Sequence, residues 1–346
     1  MTSVGRLSAM VWRTPTRGLR QLSTQTDTSH HLAKMVRERD YAAYLTHIAY
    51  PRRLQPHFFA LRAFYIELAS LKDTLSNELV GRIRMQWWRD AIEGVYDKRP
   101  PKHPITLGLR DAIFDPVVAQ HGSLVKDHFL RIIDAREADL ADPLSPPTLA
   151  DLEQYAESTS SRMLYLLLNL QGLSDPRVDE LFSHLGKAMG LCILVASLPH
   201  HTHPAPRPRT GGGGAPGLPG SKYAPQAHGT PRTPTLPLPL EYLMEQRVVQ
   251  EDVFRHGIHA RGLSDAVFQT ATRANDYLIT VRALIQDTFG GRVPPAAVAP
   301  LLLGVQTRLV LQRLEASDFN PYDATVAQRS WLLPWHIWRA ARTGRL

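Results

Sequence analysis

From Met35 onward apolar residues recur at three- and four-residue steps, and the alternating apolar–polar runs of half-buried strands are almost absent. Residues 54–70 place Phe58, Leu61, Phe64 or Tyr65, and Leu68 on one helical stripe. Ser76 suits the N-cap of a helix over 76–97, whose stripe reads Leu79, Ile83, Trp87, Ala91 and Val95. The same spacing predicts helices near 123–141, 148–171, 177–198, 238–256, 262–289, 295–316 and 325–342, separated by Pro-Pro, Gly-Gly and Asp-Pro pairs. The fold class that follows is all-α.

Two segments break this pattern. Residues 200–236 carry a tetraglycine and many prolines and show no apolar periodicity, which predicts a disordered insertion that cannot offset its ordering entropy. The helices on either side read as parts of one bundle. Residues 1–26 are rich in Arg, Ser and Thr and contain no Asp, Glu or Lys, the composition of a mitochondrial transit peptide. Arg6, Arg13, Arg17 and Arg20 fall within about 60° of one another on a helical wheel, opposite Leu7, Val11, Trp12, Leu19 and Leu22. Arg20, three residues before Ser23, suggests cleavage near Leu22, by resemblance to matrix-processed presequences. The expected organisation is a transit peptide over 1–22, a flexible lead over 23–34 and a domain over 35–346 interrupted at 200–236.

Charge changes this picture little. The formal excess of +8 is matched by four arginines before Asp27 and by Arg207, Arg209, Lys222 and Arg232 in the insertion, neither segment holding an acid. The body is therefore balanced, which argues against nucleic acid as a partner. No apolar run approaches the roughly 18 residues of a spanning helix. The single cysteine, Cys192, excludes an internal disulfide framework and lies in an apolar stretch that suits a core residue rather than a reactive thiol.

An all-α domain of this size directs attention to isoprenoid-diphosphate chemistry, in which Mg²⁺ neutralises a multiply charged leaving group and facing helices must project carboxylates. The runs FFALRAFYIELASLKD, RMQWWRDAIEGVY, IDAREADL, SHLGKAMGLCILVASLP and LPLPLEYLMEQRVVQEDVF resemble, in order and spacing, the squalene/phytoene synthase family. That resemblance implies an isoprenoid-synthase-like helical bundle with two aspartate-rich metal boxes. The positions matching the first box hold Ala69, Ser70, Leu71, Lys72 and Asp73, so one carboxylate remains and Lys72 brings a cation. The aspartates of the second box fall on Ser197 and His201, and its preceding Asn and Arg on Ile193 and Ala196. Hydroxyl and imidazole groups do not replace hard charged oxygens around Mg²⁺. The expectation is a non-catalytic chain with no metal or cofactor site, degenerate at Ala69, Ser70, Asp73, Ser197 and His201. The i,i+4 pairs Asp111/Asp115, Glu153/Glu157, Asp175/Asp179 and Glu241/Glu245 lie outside both boxes and read as structural, with Asp115 and Asp175 as caps ahead of prolines.

A narrower resemblance rests on RERDYAAYL, FALRAFYIELASLKD, RMQWWRDAIEGVYD, IDAREADL, YAESTSSRMLYLLL, HLGKAMG and SWLLPWHIWRAAR. These are similar to the mitochondrial complex I assembly factor 6 family, non-catalytic members of the same fold. The likeness implies work on NADH:ubiquinone oxidoreductase from the matrix side of the inner membrane. Its partners would be complex I subunits or other assembly factors, with a residual apolar pocket open to lipid, isoprenoid or an apolar helix. A Mg²⁺-dependent prenyltransferase is the alternative.

Two further features carry weaker signals. His200, His201 and His203 open the insertion without Cys or carboxylate neighbours and read as solvated loop residues rather than ligands. Trp331, Trp335 and Trp338 stand at i, i+4 and i+7, and Arg329, Arg339, Arg342 and Arg345 follow the last acid, Asp323. The preferred reading packs the aromatic stripe on the bundle, and a membrane-surface helix is the second.

Overall fold

The computed structural model describes residues 16–74, 78–121, 123–141, 146–202 and 234–346, the side chains of 16–27, 73–74, 121 and 141 excepted. Residues 1–15 of the expected transit peptide and residues 203–233 of the expected insertion lie outside them. Among the described residues every regular element is helical.

The first half opens with α1 (Thr16–Arg39) and α2 (Tyr41–Thr46), joined at Asp40, whose carboxylate caps α2 by accepting the Ala43 amide at 3.0 Å. The same carboxylate pairs with buried Arg62 on α3 (Gln55–Thr74), pinning the N-terminal helices to the bundle. α4 (Glu78–Tyr96), α5 (Pro104–Ile113), α6 (Pro116–His121) and α7 (Lys126–Ala141) follow. Next, α8 (Leu149–Ala156) runs through a π-helical segment, Glu157–Ser161, into α9 (Arg162–Leu170). α10 (Pro176–Ala196) and α11 (Leu198–Thr202) lead to the insertion.

After it come α12 (Leu240–Glu245), α13 (Gln250–His256), α14 (Leu263–Phe289), α15 (Pro295–Leu301), α16 (Gly304–Ala316), α17 (Ala324–Ala327) and α18 (Leu333–Thr343). α10 is the central helix, packed on α14, α8, the π segment and α16, with Leu181, Phe182, Leu185, Leu191 and Val195 buried. Cys192 is also buried there, its Sγ facing the Thr307 carbonyl at 3.7 Å, and burial pushes the thiol up to about 12.

Several expectations need correction. Residues 23–34, read as a flexible lead, fall within α1, and Leu32 and Val36 enter the core. Residues 200–202 belong to α11 and Leu236 is buried, so both edges of the insertion read as 200–236 are part of the fold. Region 238–256 is two helices: Arg247 adopts φ 55° and the Val248 amide returns to the Leu243 carbonyl at 2.8 Å, a C-terminal stop. Region 295–316 likewise divides between α15 and α16, just after Pro300.

On α4 the buried face is Met85, Trp88, Ala91, Ile92 and Val95, while Leu79, Ile83 and Trp87 are exposed. Trp88, not Trp87, meets Phe64 edge to face at 5.5 Å. α18 reverses the preferred reading altogether. Leu333, Ile337 and Ala340 pack on Leu302, Val305 and Leu309, and the tryptophans point away. Both stripes have helical spacing, so periodicity alone does not say which one turns inward.

One half-buried histidine makes stability pH-dependent. Burial, reinforced by Arg162, whose Nη1 lies 3.3 Å from Nδ1, lowers the His128 imidazole from 6.5 to about 4. The unfolded chain takes up a proton near 6.5 that the folded chain refuses until about 4. Stability is therefore expected to fall as pH drops from 6.5 towards 4, and His128→Gln to flatten that slope. Urea midpoints of both proteins across this interval check it; parallel slopes would refute the assignment.

Candidate functional site

α3, α7, the π segment and α10 surround a cavity of about 750 Å³, bounded on its remaining side by Pro146, Pro147 and residues 235–237. Both box regions reach it. Ala69 and Lys72 of α3 line one wall, and Ser197 with His201, just beyond α10, lines another. Ser70 is absent from the lining: its Oγ donates to the Glu67 carbonyl at 3.0 Å and accepts from Arg39 at 3.4 Å, towards α1. The Asp73 side chain lies outside the described residues. Ser197 spends its hydroxyl on its own helix, donating to the Leu194 carbonyl at 3.1 Å, and the His201 carbonyl accepts the Thr235 amide at 3.0 Å.

The polar wall comes from α7 and its neighbours. Arg136 donates to the Tyr155 hydroxyl at 2.5 Å, and its guanidinium lies 5.2 Å from the Tyr65 ring centre and 5.3 Å from that of Tyr155. Burial works against its charge, but Tyr155, Tyr65 and Asp139 outweigh burial and hold the group protonated. The buried Arg136 Nε has no hydrogen-bond partner. Tyr65 shares a hydrogen bond with Ser160 at 3.1 Å, while burial raises the Tyr155 phenol despite the neighbouring cation.

The described carboxylates in the lining are Asp139 and Asp151. Asp139 receives Lys72 Nζ at 2.8 Å. Asp151 closes a capping box with Thr148, whose hydrogen bonds lower its pKa. The lining also carries the apolar side chains of Ala69, Leu152, Ile193, Leu194 and Leu236. The cavity combines the Arg136 and Lys72 cations with apolar side chains, suited to an amphipathic or apolar guest. Among the described residues, no group of three or more His, Cys, Asp or Glu converges as a metal site.

The π segment explains how hydroxyls reach this wall. One extra residue per turn offsets the register between α8 and α9, and Ser158, Thr159 and Ser160 line the cavity. Sequence reading missed this bulge, and it did not single out Arg136, Tyr65 or Tyr155. The last three lie within segments that carry the family resemblance, which was the available signal.

Seven of the eight paired carboxylates have structural partners. Asp115 caps α6 through the Val117 and Val118 amides at 2.8 and 3.2 Å and bonds His57 at 3.1 Å. Burial opposes its charge, but these bonds win and hold it below the usual carboxylate range. Asp111 bonds Arg110 at 2.6 Å, and Asp175 caps α10 through the Arg177 amide at 3.0 Å. Glu153 meets Arg273 at 2.6 Å, Glu157 accepts Ser183 at 2.6 Å, Glu241 accepts the Leu149 amide at 2.9 Å, and Glu245 accepts Gln269 at 3.0 Å.

The family described as squalene/phytoene synthase matches residues 36–209 and 230–339, most of the chain. A Rattus norvegicus protein named NADH dehydrogenase (ubiquinone) complex I, assembly factor 6, is 30% identical over 308 residues, 89% of this chain and 80% of the relative. The chain belongs to the assembly factor 6 branch of the squalene/phytoene synthase family. The Homo sapiens protein of the same name is 29% identical over 311 residues, 90% of this chain and 81% of its own. Among solved structures, squalene synthase HpnC from Alicyclobacillus acidocaldarius superposes with a TM-score of 0.65 at 16% identity, covering 87% of this chain and 97% of that one. At that identity the likeness speaks for the all-α isoprenoid-synthase fold of the family.

Proposed function

We propose that this chain is a non-catalytic assembly factor for mitochondrial respiratory complex I, acting from the matrix side of the inner membrane. The assembly role follows the names of its relatives. The observation that carries the non-catalytic part is the composition of the cavity wall. Where the family resemblance calls for facing aspartates, Ala69, Ser197 and His201 line the space, and Lys72 brings a cation beside them.

Among the described residues the donor set is poorly matched to Mg²⁺. Asp139 is engaged by Lys72 and Asp151 by its cap, on separate helices, and Lys72 and Arg136 repel a cation. The open cavity instead supports binding, and its guest is a lipid, an isoprenoid or an apolar helix of a nascent subunit held against Leu152, Ile193 and Leu194.

The competing reading, a prenyl-diphosphate transferase, has the family's enzymes in its favour. Incubating the full chain with allylic diphosphates and Mg²⁺ separates the two. No pyrophosphate above the buffer blank is expected; its release at a rate proportional to protein would end the non-catalytic reading.

A further inference from the structure

We infer that the tryptophan face of α18, together with the arginines beside it, is a docking surface for a bilayer containing anionic phospholipid. The inference rests on the inner-membrane part of the proposed function and adds the surface and the lipid chemistry.

The observations begin with exposure. Trp331 is 85% exposed, Trp335 54% and Trp338 48%, and Leu332 beside them is also exposed. Trp335 and Trp338 stack at 4.9 Å, and the Arg342 guanidinium lies 5.4 Å from the Trp338 ring centre. On the helical wheel Trp335, Trp338 and Arg342 share one side, roughly opposite the face by which Leu333, Ile337 and Ala340 pack. Indole has an apolar body and one N–H donor, and it concentrates where hydrocarbon meets headgroups.

Charge selects the occupant. From Ala324 to Leu346 there are four arginines and no acid. Arg282 of α14 and Arg308 of α16 add to them. The Arg308 guanidinium is lowered first by burial and then by Arg282 and Arg339, and His336 is lowered by burial, Arg308 and Arg339. Arg308 therefore lies in the field of Arg282 and Arg339, and His336 in that of Arg308 and Arg339. Among the described residues no carboxylate is within ion-pair distance of Arg282, Arg308 or Arg339, although Glu315 lines the same groove as the first two. Cations clustered without an ion-paired carboxylate, bordering exposed indoles, match phosphodiester headgroups above acyl chains. No helix among the described residues is long and apolar enough to cross a membrane, so attachment through this face is superficial.

The test is flotation of the purified full chain with phosphatidylcholine vesicles, with and without phosphatidylglycerol. The wild type is expected to float with the anionic vesicles, with a blue-shifted tryptophan emission. Binding is expected to weaken by about tenfold or more on neutral vesicles, in W331S/W335S/W338S and in R282Q/R308Q/R339Q. Circular dichroism checks that each variant keeps its helices. Equal binding to neutral vesicles, or wild-type binding by either variant, overturns the inference. So does a dimer lost in the tryptophan variant while vesicles go unbound, which would assign the face to a second copy. Vesicle binding does not depend on complex I, so its failure leaves the assembly role to be judged separately.

Discussion

Gly186→Ala is expected to destabilise the fold by about 3 kcal/mol or more. A Cβ at this position would lie 2.6 Å from both the backbone nitrogen and the Cα of Ser161, and would overlap its hydroxyl. The obstruction is backbone, so no rotamer change relieves it. One turn later Gly190 repeats the approach, where a Cβ would overlap that of Ala156 and come 3.1 Å from its Cα. These glycines let α10 press against the π segment, and that contact sets the hydroxyl wall of the cavity. Gly290→Ala supplies the comparison. That residue has φ 64° but nothing within 4 Å of where the added methyl would sit, so only backbone strain of about 1 kcal/mol is expected. Urea unfolding of the three proteins measures the difference; equal midpoints for wild type and Gly186→Ala would show that the close approach is not made.

The double variant Ala69→Trp/Ser197→Trp is expected to keep the fold and lose the activity in assembly. Both positions line the cavity from opposite box regions, and neither native side chain makes a hydrogen bond to another helix. A cavity of about 750 Å³ has room for added indoles, whereas a core site without such space would be overpacked. In cells lacking the native gene, the expected result is no recovery of complex I despite normal protein abundance. Full recovery would show that the cavity is not used.

Much of this was legible from spacing. The long helices α3, α4, α7, α10 and α14 declare themselves because apolar residues recur along them at three- and four-residue steps. The breaks at Arg247 and after Pro300 depend on local backbone geometry that a long apolar pattern passes over. The orientation of α18 was hidden for a different reason. Leu333, Ile337 and Ala340 form a small-residue stripe opposite a tryptophan stripe, and the larger side chains drew the burial assignment. In the site, Ala69, Ser197 and His201 were placed by resemblance, and the structure brings all three to one cavity while turning Ser70 away. Arg136 and Tyr155 were harder to find. Their meaning comes from a guanidinium between two rings on α3 and α8, and from a π bulge with no sequence signature of its own.

Deletion of the gene checks for an assembly function carried out without catalysis. Native gels of respiratory complexes from the deleted cells are expected to show selective loss of complex I, with the other complexes intact and isoprenoid levels unchanged. Intact complex I accompanied by altered isoprenoids would contradict the account.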